Sequence, residues 1–284
     1  VDAGGGYCLP KVKPTMKLDG RYLNLAKIAD SGQCFRMTPS GKGFEIIASG
    51  RHVLVYHEGD SIVVKGDNDQ AFWKHYFDLK TDYPAILASV DPDDVFLQTA
   101  CAYSKGLCIL NQEPFETLIS FIISQRKSIK AIRICVEKLA DRFGEKLGSR
   151  YLFPTPKALA NANLQCLQDC AVGYRAAYIQ KTAQMVASGE VNLNALYQLN
   201  HQDLVQELCH FPGVGVKVAS CVSLFAYHNM EAFPRDVWIM RVEEQEYGGR
   251  FPEEKYPHMA GFLQQCMFFY GKSPDYRVKT VKNP

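Results

Sequence analysis

The spacing of the apolar residues changes once, at Pro114, and does not change back. Before it, from about Met16 to Gly66, β-branched residues come in short runs. "GFEIIASGRHVLVYHEGDSIVVKG" is broken at Ser49-Gly50 and again at Glu58-Gly59-Asp60. Short runs separated by such turn residues read as an antiparallel meander. "AFWKHYFDLKTDY" then places aromatics at helical spacing. From Pro114 onward Phe115, Leu118, Ile119, Ile122 and Ile123 fall on one helical face, with the proline suited to the first helical position. Ser128 can cap a second helix whose stripe is Ile129, Ile132, Val136, Leu139 and Phe143, and Gly144 can stop it. Further helices are expected over Arg175–Ser188, Gln202–Cys209, Val216–His228, Val237–Tyr247 and Tyr256–Tyr270. The fold class expected is α+β. An N-terminal antiparallel β-sheet domain (16–110) is followed by an all-helical domain (111–284). Residues 1–15, with three consecutive glycines and two prolines nearby, read as a flexible arm or an expression remnant.

Of the 284 residues, 47% are hydrophobic and 22% charged, which suits a globular chain with a sizeable core. The net charge is only +2, so a nucleic-acid surface would have to be local. The ten cysteines include no C-x-x-C pair and several fall in apolar helix patterns, which reads as reduced, buried thiols of a cytoplasmic protein. No apolar run reaches the ~18 residues of a membrane span, and no signal-peptide pattern is recognisable.

Between two of the expected helices lies "FPGVG". Glycines there permit positive φ and leave backbone N–H groups uncovered at a helix start. Such groups, with the helix dipole, bind phosphate, and a carbonyl-lined turn can hold a monovalent cation. A plain helix–helix turn would have the same residues. Lys217, two residues after Gly215, stands in the first helical turn, where its charge opposes the dipole. A lysine beside bound DNA could instead attack the sugar. An amine attacks only as the free base, a form that burial and the positive end of a dipole favour. Asp236, after "AFPR", opens the next apolar run. It reads as an N-cap, and as a catalytic carboxylate if its second oxygen faces the site.

"LCHFPGVGVKVASC" followed by "PRDVW" resembles the helix-hairpin-helix, Gly-Pro-Asp DNA glycosylases. "SGQCFRM", "EPFETLISFIISQ", "GYRAAYI" and "AGFLQQCMFF", in that order, narrow the resemblance to the 8-oxoguanine DNA glycosylase/AP lyase branch, over roughly Leu18 to Tyr270. The resemblance implies a bifunctional repair enzyme that flips a damaged nucleotide out of duplex DNA. Lys217 matches the lysine that attacks C1′ and forms a Schiff base, after which β-elimination cuts the strand. Asp236 matches the aspartate that stabilises the cationic sugar. Gly213 and Gly215 match the close approach to phosphate. Carbonyls of Cys209, Phe211 and Val214 would hold a hairpin cation. No other cofactor is implied.

Gly32 matches the residue whose carbonyl accepts N7–H of 8-oxoguanine and repels the N7 lone pair of guanine; leaving such a buried acceptor unpaired costs on the order of 1–3 kcal/mol. Phe268 and Cys221 match the two faces of a base sandwich, and Gln264 matches the reader of the Watson–Crick edge. Without the resemblance Phe268 and Cys221 read as core, and Gln264 as a solvated position. Tyr174 matches the wedge that fills the vacated stack, and Arg175 the arginine that contacts the orphaned base. Departures are also visible. No cysteine cluster follows Asp236, so no iron–sulfur cluster is expected. Trp238 stands where a histidine is often found, which puts one phosphate contact in doubt. Arg126 stands near the position of an asparagine that reads the opposite base, and Lys130 replaces a second arginine.

Three classes compete. One is the bifunctional enzyme, acting as a monomer on double-stranded DNA with oxidised purines. One is a monofunctional alkylbase glycosylase, against which Lys217 argues. The third is a non-catalytic DNA-binding module, against which the matched base pocket argues. The location expected is cytoplasmic, on the nucleoid if the source is bacterial.

Overall fold

The computed structural model describes residues 14–276. The expected arm therefore lies mostly outside the described residues, although Thr15 already belongs to a strand. That strand, β1 (Thr15–Asp19), is followed by β2 (Met37–Ser40), β3 (Gly43–Ala48), β4 (Arg51–Glu58) and β5 (Ser61–Lys65). The sheet order is β1-β5-β4-β3-β2, with every pair antiparallel. The last four strands are the meander read from the sequence. Ser49 and Gly50 join β3 to β4 with φ of 46° and 78°, the left-handed pair that a two-residue hairpin needs. Ile46, Val53, Val55, Ile62 and Val64 are buried, so the alternating face packs into the core.

The sheet domain also carries helices that the strand signals masked. They are α1 (Leu25–Asp30), α2 (Gln70–Tyr76), α3 (Tyr83–Ala88) and α4 (Val95–Ser104). Only α2 was expected. The first, third and fourth have Asn24, Asp82 and Asp94 as side-chain caps, a signal overlooked because each run is short. The helical part continues with α5 (Pro114–Ser124), α6 (Ile129–Phe143), a short hairpin of β6 (Lys146–Leu147) and β7 (Arg150–Tyr151), α7 (Pro156–Ala160), α8 (Leu164–Leu167), α9 (Arg175–Ala187), α10 (His201–Leu208), α11 (Val216–Ala226), α12 (Val237–Tyr247) and α13 (Ala260–Gly271). Ser128 caps α6 through the Ala131 N–H, and Gly144 ends it. The last helix starts later than expected, because Pro257 follows Tyr256 and disfavours helical backbone there.

Three helices are buried nearly all round, among them α11, where only Val216 and Lys217 lie outside the core. In α5 the residues outside the core are Glu116 and Ser124, and in α13 Phe268 is the lone exception. Such helices form the centre of a bundle. Here α5 packs on α6, α9 and α11, while α13 packs on α4 and α12. Because α4 belongs to the N-terminal part, one hydrophobic core runs through both parts of the chain. That continuity brings the loop after α1 up against α13.

Candidate active site

The segment between α10 and α11 is a closed turn. Phe211 is buried, and its carbonyl accepts the Val214 N–H at 3.0 Å. Gly213 has φ of +75°, and a Cβ there would lie 2.3 Å from the Tyr178 ring, so both backbone and space require glycine. Gly215 is different. As the N-cap of α11 it has an ordinary φ of −103°. A Cβ on Gly215 would meet nothing, so the α11 N-terminus faces open space. Gln125, at the end of α5, donates to the Gly213 carbonyl at 3.0 Å and so fixes the turn against the bundle. Among the described residues no three His, Cys, Asp or Glu side chains gather as a metal site.

Lys217 begins α11, and Cys221 follows one turn later on the same face. The Lys217 Nζ lies 5.8 Å from the Phe121 ring centroid. Burial pushes the Cys221 thiol above its usual range, and Lys217 partly offsets this. Asp236 is the N-cap of α12. Its Oδ1 accepts from the Trp238 and Ile239 N–H groups at 3.0 and 2.9 Å. One oxygen does the capping, which leaves Oδ2 for another partner.

Lys217 and Asp236 share the wall of one cleft of about 830 Å³ with Gly32, Cys221, Gln264 and Phe268. Arg126, Lys130 and Trp238 line it as well. Its cations are Arg126, Lys127, Lys130, Lys217, Arg235 and Lys272; Asp236 is the carboxylate on its wall, while Glu243 and Glu253 pair with Arg235 and Asp30 lies 3.7 Å from Lys272. The charge that the whole-chain balance hides is thus concentrated here. The indole of Trp238 lies 5.3 Å from the Arg241 guanidinium.

Within the cleft, polar groups are placed individually. Gln264 is only 4% exposed, not solvated. Its Nε2 donates to the Pro234 carbonyl at 2.8 Å, and among the described residues Oε1 has no donor. Gly32 has φ of +82°, and its Cα faces Ile129 and the Phe268 ring. The flanking carbonyls of Ser31 and Gln33 are occupied by Gln265 and Gln112, at 2.8 and 2.7 Å. Among the described residues the Gly32 carbonyl accepts no hydrogen bond. A half-buried Phe on a helix that buries its glutamines points to a cleft that needs an aromatic wall.

The segment expected to supply a wedge lies just before α9. Tyr174 is 58% exposed ahead of α9. Arg175 does not project beside it. The side chain is 5% exposed and donates to the carbonyls of Val172 and Gln125, with its guanidinium 4.4 Å from the Tyr174 ring. Arg175 thus ties the start of α9 to the α5–α6 loop. Lys127 strengthens the same tie by donating to the Ala171 carbonyl at 3.0 Å. Arg126 is exposed and has φ of +52°, a conformation that an asparagine adopts more easily. Sequence reasoning missed Gln125, Gln265, Arg235 and Lys272. Lys272 had a visible signal, since 264, 268 and 272 repeat every fourth residue along one helix face.

The 8-oxoguanine DNA glycosylase N-terminal domain matches residues 15–118, and the HhH-GPD superfamily of base excision DNA repair proteins matches residues 119–254. The structure of MBOgg1 in complex with a low-affinity DNA ligand superposes with a TM-score of 0.85 at 34% identity, over 91% of this chain and 95% of that one. The chain belongs to the 8-oxoguanine DNA glycosylase family. The Clostridium acetobutylicum 8-oxoguanine glycosylase/lyase, in complex with double-stranded DNA containing cytosine opposite 8-oxoguanine, is 31% identical with a TM-score of 0.84, over 93% of this chain and 99% of that one. The N-glycosylase/DNA lyase of Saccharomyces cerevisiae is 32% identical over 55% of this chain and 46% of its own length. The family boundary at 118 falls inside α5, so the two matched units divide a single helix of the core. Gln264 and Phe268 lie beyond the matched span, on α13.

Proposed function

We propose that this chain excises 8-oxoguanine from duplex DNA and then cuts the strand at the resulting site. The reading is carried by one observation: residues as distant in sequence as Gly32 and Phe268 line a single cationic cleft with Lys217 and Asp236. Duplex DNA approaches the open α11 N-terminus, whose N–H groups donate to a phosphate. Tyr174 fills the stack that the flipped nucleotide leaves. The base enters between Phe268 and Cys221. A guanine-type edge offers N1–H and N2–H donors, which suit the unpartnered Oε1 of Gln264. The unoccupied Gly32 carbonyl accepts N7–H, which the lesion has and guanine lacks.

In the chemical step the Lys217 amine donates its lone pair to C1′. The bond from C1′ to N9 breaks, and its electrons leave with the base. Positive charge grows on the sugar as this happens, and the Asp236 carboxylate stabilises it. Transfer of a proton from the attached nitrogen to O4′ opens the sugar ring and gives a Schiff base. Removal of a C2′ proton then expels the 3′ phosphate. The hairpin carbonyls of Cys209, Phe211 and Val214 are the proposed ligands for a cation, and the enzyme acts as a monomer in the cytoplasm. An alkylbase glycosylase that activates water would have no use for an amine at Lys217. Borohydride trapping tests the reading. Wild type should form a covalent adduct with 8-oxoguanine DNA, and Lys217→Gln should bind the DNA without forming one. Trapping of Lys217→Gln at the wild-type yield would refute it.

A further inference from the structure

The cleft has a second set of polar groups, behind the base-contacting ones. Lys272, in the turn that ends α13, donates from Nζ to the Asp30 carbonyl at 2.5 Å. The same ammonium lies 3.7 Å from the Asp30 carboxylate and 5.4 Å from the Phe268 ring centroid. Gln265 donates to the Ser31 carbonyl at 2.8 Å and is itself buried. Gln33 is held from the other side, by the Leu110 N–H and the Cys108 carbonyl. Residues 30, 31 and 33 are thus fixed by α13 and the core, and the residue left between them is Gly32. Glycine at φ of +82° has no side chain to hold its own peptide in place. Something else must set the direction of its carbonyl.

We propose that Lys272 and Gln265 are positioning residues that aim the Gly32 carbonyl and brace Phe268, and so set recognition of the oxidised base. Both act from α13, the helix that carries Gln264 and Phe268, so one rigid element fixes the edge reader, the aromatic wall and the N7–H acceptor relative to one another. Burial lowers the Lys272 pKa and Asp30 opposes this, in keeping with a half-buried ammonium set against the Asp30 carbonyl and the rings of Phe268 and Phe269. The ammonium also gives the outer side of the Phe268 ring a cationic neighbour.

This inference rests on the functional reading above, and the two fail differently. Cleavage at a preformed abasic site needs Lys217 and no base pocket, so it serves as the internal reference. Lys272→Met and Gln265→Leu should each slow single-turnover excision of 8-oxoguanine at least tenfold. Abasic-site cleavage should stay within twofold of wild type. Lys272→Arg, which keeps a cationic donor, should recover most of the excision rate. If a variant melts early, its excision and abasic rates are compared at a temperature where it is folded. Equal loss of both activities, or excision unchanged in both variants, would overturn the proposal. A wild-type protein that cleaves abasic sites but leaves 8-oxoguanine in place would overturn the functional reading and this proposal with it.

Discussion

Asp236 holds two roles on two oxygens, and substitution can separate them. Oδ1 makes both capping hydrogen bonds, at 3.0 and 2.9 Å, so an asparagine whose Oδ1 takes that place keeps the cap. Asparagine ranks with aspartate as an N-cap, whereas alanine costs about 0.5–2 kcal/mol. For a domain of this size 1 kcal/mol moves the melting temperature by roughly 2–4 °C. Asp236→Asn should therefore melt within about 2 °C of wild type, and Asp236→Ala several degrees lower. The chemistry should follow the charge and ignore the cap. Loss of one preorganised group facing a developing charge costs about 2.7–4 kcal/mol, or 10²–10³ in rate. Both variants should lose that much in single-turnover release of 8-oxoguanine, measured at saturating enzyme on a labelled duplex. The refuting result is Asp236→Asn excising within threefold of wild type, because the carboxylate would then be a cap alone.

The two hairpin glycines should respond differently. Gly213→Ala meets the Tyr178 ring at 2.3 Å with φ of +75° and should lose about 2–4 kcal/mol together with DNA binding. Gly215→Ala loses only a glycine N-cap and should cost no more than about 1 kcal/mol yet weaken DNA binding in fluorescence anisotropy, and equal melting of the two variants would contradict this. Glu116, half-buried on α5, has its pKa pushed up to about 8 by desolvation, which the neighbouring Arg36 opposes. Between the unfolded carboxylate range and pH 8 the folded state keeps a proton that the unfolded chain has lost, so stability falls as pH rises through that window. Glu116→Gln should remove that fall and gain on the order of 1–2 kcal/mol at pH 8 after allowance for partial exposure; parallel melting curves at pH 5 and pH 8 would refute it. Arg126→Asn should relieve the left-handed backbone and gain about 0.5–1 kcal/mol. With arginine there, 8-oxoguanine opposite adenine should be cut within roughly tenfold of the rate opposite cytosine. A thousandfold preference for cytosine on the four opposing bases would refute that.

Much of the fold is a local property of this chain. The Ser49-Gly50 hairpin, the capped start of α6 and the span of α12 follow from turn chemistry, side-chain caps and helical spacing, and these act within a few residues. The hairpin glycines and Lys217 could be read for the same reason, because the motif is contiguous. The resemblance also named the distant pocket residues, but by analogy and without their geometry. What a side chain does there depends on partners far away in sequence. Arg175 looked like a projecting reader of the opposite base, yet the Gln125 and Val172 carbonyls draw it inward. Gln264 looked solvated, and only the burial of α13 on all sides makes it a fixed amide with one oxygen unpartnered. Gln265 and Lys272 carry no motif at all. Their meaning arises where α13 crosses the loop after α1, through hydrogen bonds that span 234 and 242 residues. Local propensity has no range at such separations, so the register of that crossing is decided by the packing of one continuous core.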